Sequence, residues 1–437
     1  MKRALDTLFL LVLSAYILTG VPHVPFHGDE STQVFMSRDF AYQFLVNQPE
    51  LLRYADPSPS ATEQELRLLN GTISKYSIGL AWHLAGFAPN DLNEQWDWGA
   101  GWDYNQTHNH APGAALLQAS RWPSALFLVV GLLALFALAV QIGGRPAAYV
   151  TGLLYALHPA LLLNGRRAMM EGSLVAFSTL TALAAVGWLQ SRGGRAWLWA
   201  LLFGLAAGMA LASKHTALLA VIPIGAGALG WALFQARQDS RQAALRLVQM
   251  ALAAVLAAVV FYALNPAWWG DPLARVREVL RLRADLLAGQ TAAFGGYTGP
   301  LDALNGFLRQ MLLPAPQYFE AAGWDADLAP QIAAYESSGL AGLMLPDFAG
   351  AVLTLWLVAL GLWALWRGRG LPAARWIVGV WVVSAMLGAL LVTPIGWQRY
   401  YLPLYPSLIV VMGVGGGWLT NRLRESMNHS DTERTGL

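Results

Sequence analysis

Residues 122–142 read WPSALFLVVGLLALFALAVQI, 21 positions without a single Asp, Glu, Lys or Arg. At the rise of an α-helix such a run covers about 30 Å, the thickness of a bilayer's hydrocarbon core. No water is available there to satisfy peptide groups, so the run has to be helical. Similar runs recur before and after it. Spans are expected at 5–21, 122–142, 146–163, 171–189, 196–212, 216–234, 247–264, 347–366, 376–393 and 402–420. The whole chain of 437 residues is 56% hydrophobic and only 12% charged, whereas a soluble globule needs a charged surface. The expectation is an all-α polytopic membrane protein, a single membrane domain over 1–437 with about ten transmembrane helices.

Basic residues choose the sides. Lys2 and Arg3, Arg145, Arg192 and Arg195, Arg237, Arg241 and Arg246, Arg367, Arg369 and Arg375, and Arg422 and Arg424 all fall on one side of these spans. The positive-inside rule makes that side the cytoplasm, with both termini there and the protein in the plasma (inner) membrane. The stretch 5–21 follows Lys2-Arg3 as a signal peptide would. Val21-Pro22-His23-Val24-Pro25 offers no small-x-small cleavage site, so it reads as a retained anchor.

The other side receives two long loops, 22–121 and 265–346, too long to be plain connections. They are expected to carry interfacial helices. Helical stretches are expected at 31–45, at 73–87 in the interface, and at 273–287. The last is a basic amphipathic helix with Arg275, Arg277, Arg281 and Arg283 along it. The absence of cysteine excludes disulfide and thiolate chemistry. Nothing resembles a nucleotide-phosphate loop or a nucleic-acid-binding signature.

Charged groups collect at the non-cytoplasmic ends of the spans. The first loop opens with Gly28-Asp29-Glu30. The turn after the third span holds Arg166, Arg167 and Glu171, and the turn after the fifth holds Lys214 and His215. Arg399 and Tyr400 precede the last span, and Lys75 of the first loop lies within reach of the same face. A phosphate leaving group calls for fixed Lys or Arg donors, because charge grows on it in the transition state. An acceptor hydroxyl calls for a carboxylate to take its proton. Each residue also has a plainer reading: Asp29 and Glu30 as caps of a helix beginning near Ser31, the cations as snorkelling anchors. Trp96, Trp98 and Trp102 read either as a platform for sugar rings or as an interface belt. His108 and His110 lack the further ligands a metal requires.

In order along the chain, Gly28-Asp29-Glu30, Arg121-Trp122-Pro123-Ser124, Arg167-Ala168-Met169-Met170-Glu171, Ala212-Ser213-Lys214-His215 and Arg399-Tyr400-Tyr401-Leu402-Pro403 resemble motifs of the GT-C superfamily of membrane glycosyltransferases. The branch is that of the protein O-mannosyltransferases and aminoarabinose transferases (glycosyltransferase family 39 type). The resemblance implies inverting transfer of a sugar from a polyprenyl-phosphate donor to an acceptor hydroxyl of a protein, lipid or glycan at the non-cytoplasmic face. It implies Asp29 as the base, and Glu30 as its support or as ligand of a divalent metal. It implies Lys75, Arg167 and Arg399 near the phosphate or acceptor, with Glu171, Lys214, His215 and Tyr400 lining the site. The soluble extra domains of the family's better-known branches have no counterpart, which suggests a bacterial enzyme. The competing readings are a lipid or solute transporter and an inactive scaffold of the same fold.

Overall fold

The computed structural model describes residues 2–312, 315–320, 323–345, 347–368 and 371–434, with side chains described as far as Met427. Among them the chain is helical, and nine helices are long and apolar enough to cross a membrane.

Helix α1 (Lys2–Thr19) leads into the first loop. That loop holds α2 (Gly28–Met36), α3 (Ala61–Leu69), α4 (Thr72–Leu84) and α5 (Trp102–Thr107). Next come α6 (Ala114–Ala156), α7 (Pro159–Arg166), α8 (Glu171–Gln190) and α9 (Gly193–Ser213). Helices α10 (Leu218–Gln235) and α11 (Ser240–Leu264) complete the first half of the bundle. The second loop holds α12 (Pro272–Phe294), α13 (Pro300–Leu312) and α14 (Asp325–Ser337); residues 313–314, 321–322 and 346 of it lie outside the described ones. Helices α15 (Asp347–Arg367), α16 (Pro372–Val392), α17 (Gln398–Tyr401) and α18 (Tyr405–Arg434) finish the chain.

Helix α6 runs over 43 residues, which as one straight rod would be about 65 Å long, twice a bilayer core. It folds back instead. Gly144 has φ 73°, a left-handed conformation that glycine adopts without steric cost. Beyond it the chain returns along itself: Tyr155 Oη donates to the Leu128 carbonyl at 3.0 Å, and the Phe136 and Tyr149 rings lie 5.9 Å apart. The expected span 122–142 is the first arm of this hairpin; the expected span 146–163 is broken, its first part forming the short second arm as far as Ala156 and the rest belonging to α7 (Pro159–Arg166).

The core runs between α6, α8, α16 and α18, through Leu132, Leu135, Trp188, Trp381, Tyr405 and Val411. Helix α8 is enclosed almost all round, whereas α11 is peripheral. Val248, Leu252, Val255 and Val259 lie exposed along one stripe of α11, a surface suited to lipid.

The loops depart from expectation in two places. The stretch 31–45 is not one helix: α2 ends at Met36, and a separate short helical turn covers Ala41–Leu45. The stretch 73–87 does not lie on the surface. Helix α4 sinks between α2, α6 and α9, burying Ile73, Lys75, Ile78 and Trp82. Helix α12 matches its forecast and extends past it to Phe294, with Leu273, Val276 and Leu280 exposed. Helix α2 begins at Gly28, three residues before the start the capping reading gave it.

Candidate active site

Asp29 and Glu30 are neighbours with different surroundings. Helix α2 opens in a capping box: His27 Nδ1 accepts from the Asp29 amide at 3.1 Å, and Glu30 Oε2 accepts from the His27 amide at 3.1 Å. Glu30 is fully buried. Its carboxylate is held by the Arg121 guanidinium at 2.7 and 2.8 Å and by the Ala168 amide at 2.8 Å. Burial alone would raise the Glu30 carboxyl; Arg121 outweighs it and holds the group below the usual range. With four donors on two oxygens, Glu30 is saturated and supports the fold around the site. Asp29, one residue earlier on the helix, turns into a cavity of about 440 Å³.

That cavity brings together residues from across the chain. Asp29, Thr32 and Gln33 come from α2, Glu171 from the start of α8, Lys214 from the end of α9, and Arg399 and Tyr400 from α17. The second loop adds Arg283, Gln290 and Phe294 from α12, and then Glu320. Lys214 Nζ donates to Glu171 Oε1 at 2.8 Å. Arg399 pairs with Asp29 through Nη1, and its Nε lies 3.6 Å from Glu320 Oε1. Tyr400 Oη donates to Gln290 Oε1 at 2.6 Å, and its ring stacks on Trp397. Arg283 donates to the Leu69 carbonyl at 3.1 Å and has no carboxylate partner among the described residues. Leu66, Leu69, Met169, Met170, Leu286 and Phe294 make an apolar wall.

Glu320 has no forerunner in the sequence reading. Burial pushes its carboxyl up to about 7. His27 Nε2 lies 2.5 Å from Glu320 Oε2. Because His27 Nδ1 already accepts the Asp29 amide, the neutral ring carries its proton on Nε2 and donates it to Glu320. Burial and the nearby Arg167 push His27 well below the ordinary histidine range, which keeps that ring neutral. With Glu320 protonated, the cavity sets three cations, Lys214, Arg283 and Arg399, against two carboxylates, Asp29 and Glu171.

Three expected site residues lie elsewhere. Lys75 is buried against Asp39, with Nζ 2.5 Å from Oδ2, and Arg67 holds the same carboxylate. The pairing draws Lys75 inward, away from the cavity. His215 packs its ring on Trp268 at 5.7 Å and Phe261 at 6.2 Å and does not line the cavity. Arg167 is buried, donating to the carbonyls of Pro25 at 3.1 Å and Tyr318 at 2.7 Å, so it ties the two loops together behind the cavity. Burial lowers it to about 10, still charged at neutral pH. Its neighbour Arg166 is spent on structure too, bonding the Ile17 and Tyr16 carbonyls and Tyr335 Oη at 2.8 Å each. The residues present do not form a divalent-metal site. His27 approaches both Asp29 and Glu320, but among the described residues no three His, Asp or Glu side chains are placed to hold a metal ion, and Asp29 and Glu320 both turn to Arg399.

Comparison with known proteins agrees on the fold. A family profile described as dolichyl-phosphate-mannose-protein mannosyltransferase (PMT) matches residues 63–268. No curated protein sequence matches the chain. Among solved structures, the archaeal oligosaccharyltransferase AglB from Archaeoglobus fulgidus, in complex with an inhibitory peptide and a dolichol-phosphate, superposes with a TM-score of 0.55 at 11% identity. It covers 99% of this chain and 52% of its own. ArnT from Cupriavidus metallidurans bound to undecaprenyl phosphate gives a TM-score of 0.51 at 12% identity, over 95% of this chain and 60% of its own. Its apo state gives 0.53 at 13% identity. The chain thus spans between half and three-fifths of the length of these structures.

Proposed function

We propose that this chain, a multi-pass membrane protein whose fold is similar to those of the oligosaccharyltransferase AglB and of ArnT, is a GT-C-type inverting glycosyltransferase using a polyprenyl-phosphate sugar donor. One observation carries the reading. Asp29 shares a single cavity with Lys214, Arg283 and Arg399, against an apolar wall. The donor's phosphate sits on Arg283 and Lys214, with the first isoprene units along Leu66, Leu69, Leu286 and Phe294. The acceptor's hydroxyl oxygen attacks C1 of the sugar and its proton passes to the Asp29 carboxylate. The bond from C1 to the phosphate oxygen breaks with its electron pair going to the phosphate. A single displacement inverts the configuration at C1. The leaving phosphate gains one negative charge in the step, and Arg283 and Lys214 are fixed where that charge develops. Glu171 holds the Lys214 ammonium in position, and Arg399 orients Asp29.

The positive-inside pattern supports a cavity on the non-cytoplasmic face, with both termini in the cytoplasm of a plasma (inner) membrane. A carrier working by alternating access would place its charged groups on broken helices near the midplane. Here Glu171, Lys214 and Arg399 stand at helix ends around one cavity.

Reconstituted protein supplied with radiolabelled polyprenyl-phosphate sugars is expected to move label into the aqueous or lipid acceptor fraction. Asp29→Asn is expected to stop that transfer while the protein melts as the wild type does. Full transfer by this variant removes the mechanism.

A further inference from the structure

The wall of the cavity beside His27 is aromatic on one side and amide on the other. Trp98 lines the cavity and is 46% exposed, while Trp324 stacks on it at 5.6 Å and 13°. The stack rests on Gly28, where an added Cβ would lie 2.8 Å from Trp324 and 3.0 Å from Trp98. Trp98 is therefore held in place from behind, with its uncovered surface turned to the cavity. Its ring centre lies 6.4 Å from that of His27, whose Nδ1 is 4.0 Å from the Asp29 carboxylate. The platform adjoins the proposed base.

The amides supply the second observation. Gln95 spends its NH₂ group on Thr32 Oγ1 at 3.1 Å, and Gln33 spends its own on Asn70 Oδ1 at 3.3 Å. Both carbonyl oxygens, Gln95 Oε1 and Gln33 Oε1, are buried without a partner, and Gln33 is only 3% exposed. An unpartnered buried acceptor is costly unless a ligand donates to it. Both residues line the cavity, so the ligand has to bring hydrogen-bond donors and an apolar face together. A pyranose does both, with hydroxyls around its rim and C–H bonds on its flat side that suit the electron-rich face of an indole.

The two oxygens have different neighbours. Gln33 is tied to Asn70, next to Leu69, whose carbonyl holds Arg283, so it belongs with the phosphate and the donor sugar. Gln95 and Trp98 stand on the side of His27 and Trp324. We propose that the acceptor is itself a carbohydrate, seated with a pyranose ring on Trp98 and a hydroxyl donating to Gln95 Oε1. The assignment rests on the glycosyltransferase reading above for the word acceptor; the saccharide subsite stands on its own geometry.

Binding tests it without requiring turnover. Full-length protein in nanodiscs is probed by saturation-transfer NMR with maltotriose, mannotriose and chitotriose, and with a Ser/Thr-containing hexapeptide. At least one trisaccharide is expected to bind the wild type. Trp98→Ala should weaken that affinity by about tenfold or more, Trp98→Phe by less, and Gln95→Leu should weaken it as well. No binding of any trisaccharide, equal binding by Trp98→Ala, or a hexapeptide that binds in place of the sugars through Trp98 would each overturn the proposal. Transfer surviving in Asp29→Asn would instead overturn the base and leave the subsite standing.

Discussion

The first loop builds two ionic clusters of nearly the same composition, and only one of them meets open space. In the first, Asp39 is clasped by Lys75 and Arg67, and Arg67 also reaches Glu63 at 2.6 Å. In the second, Asp29 is clasped by Arg399 beside Glu320, with Lys214 and Glu171 nearby. Burial alone would raise the Asp39 carboxyl; Lys75 and Arg67 outweigh it and hold the group below its ordinary range. Asp39 is sealed at 2% exposure, whereas the Asp29 side chain keeps 25% and faces a cavity. Ion pairing at a membrane surface does not mark function. A charge pair with a chamber in front of it does.

The largest expected effect separates the clusters by activity. Asp29→Asn should lower kcat for sugar transfer by about 10²–10⁴-fold, the range for loss of a general base, with an unchanged melting temperature. Asp39→Asn should do the reverse. It leaves Lys75 and Arg67 buried around a neutral amide, a loss of about 3–5 kcal/mol of stability, while transfer per folded molecule stays at the wild-type rate. Thermal melts in detergent together with single-turnover transfer measure both. If Asp39→Asn lost activity while melting normally, the sealed cluster would belong to the site after all.

A smaller effect probes the second loop's share of the cavity. Arg283→Gln removes the one cavity cation without a carboxylate partner among the described residues. Its loss should raise KM for the polyprenyl-phosphate donor by about tenfold and leave acceptor KM unchanged, one charge-assisted contact being worth about 1.5–3 kcal/mol. Equal donor KM in wild type and variant would place the phosphate elsewhere.

The bundle was legible in the sequence because lipid imposes a simple rule of length and polarity. The expected break between 142 and 146 falls where Gly144 turns α6 back on itself. The site was legible where a charged residue stood at the end of a span, as for Glu171, Lys214 and Arg399, because a helix end fixes the depth and side of its residue. It was illegible inside the loops. Lys75 and Arg283 are both loop cations near apolar runs, and nothing local tells that Asp39 draws one inward while the other is left facing the cavity. Glu320 depends on how 315–320 folds against His27, some 290 positions away, and no periodicity encodes such a meeting. Only the family resemblance gave Asp29 and Glu30 different roles; composition and spacing alone did not. The helical rotation between adjacent residues, together with Arg121 from another helix, divided them.

The finest contrast lies in pH. Glu320 holds its proton up to about 7 in the folded protein, above the ordinary carboxyl value. The folded state therefore keeps a proton that the unfolded chain releases, and the stability this gives is lost as pH rises from the ordinary carboxyl range through about 7. The proposed activity should follow the same proton. Below about 7 the cavity carries one net positive charge; above it the ionised Glu320 balances the count and competes for Arg399. Donor KM should rise between about pH 6 and about pH 8, on the order of tenfold, since that corresponds to about 1.4 kcal/mol of altered field. Glu320→Gln keeps an oxygen for the His27 Nε2–H and cannot ionise, so its KM should stay flat and its melting temperature should lose the decline toward neutral pH. Asp39→Asn, confined to the sealed cluster, should keep the wild-type pH profile of KM. A Glu320→Gln profile that still bends near 7 would move the titrating proton to another group in the cavity.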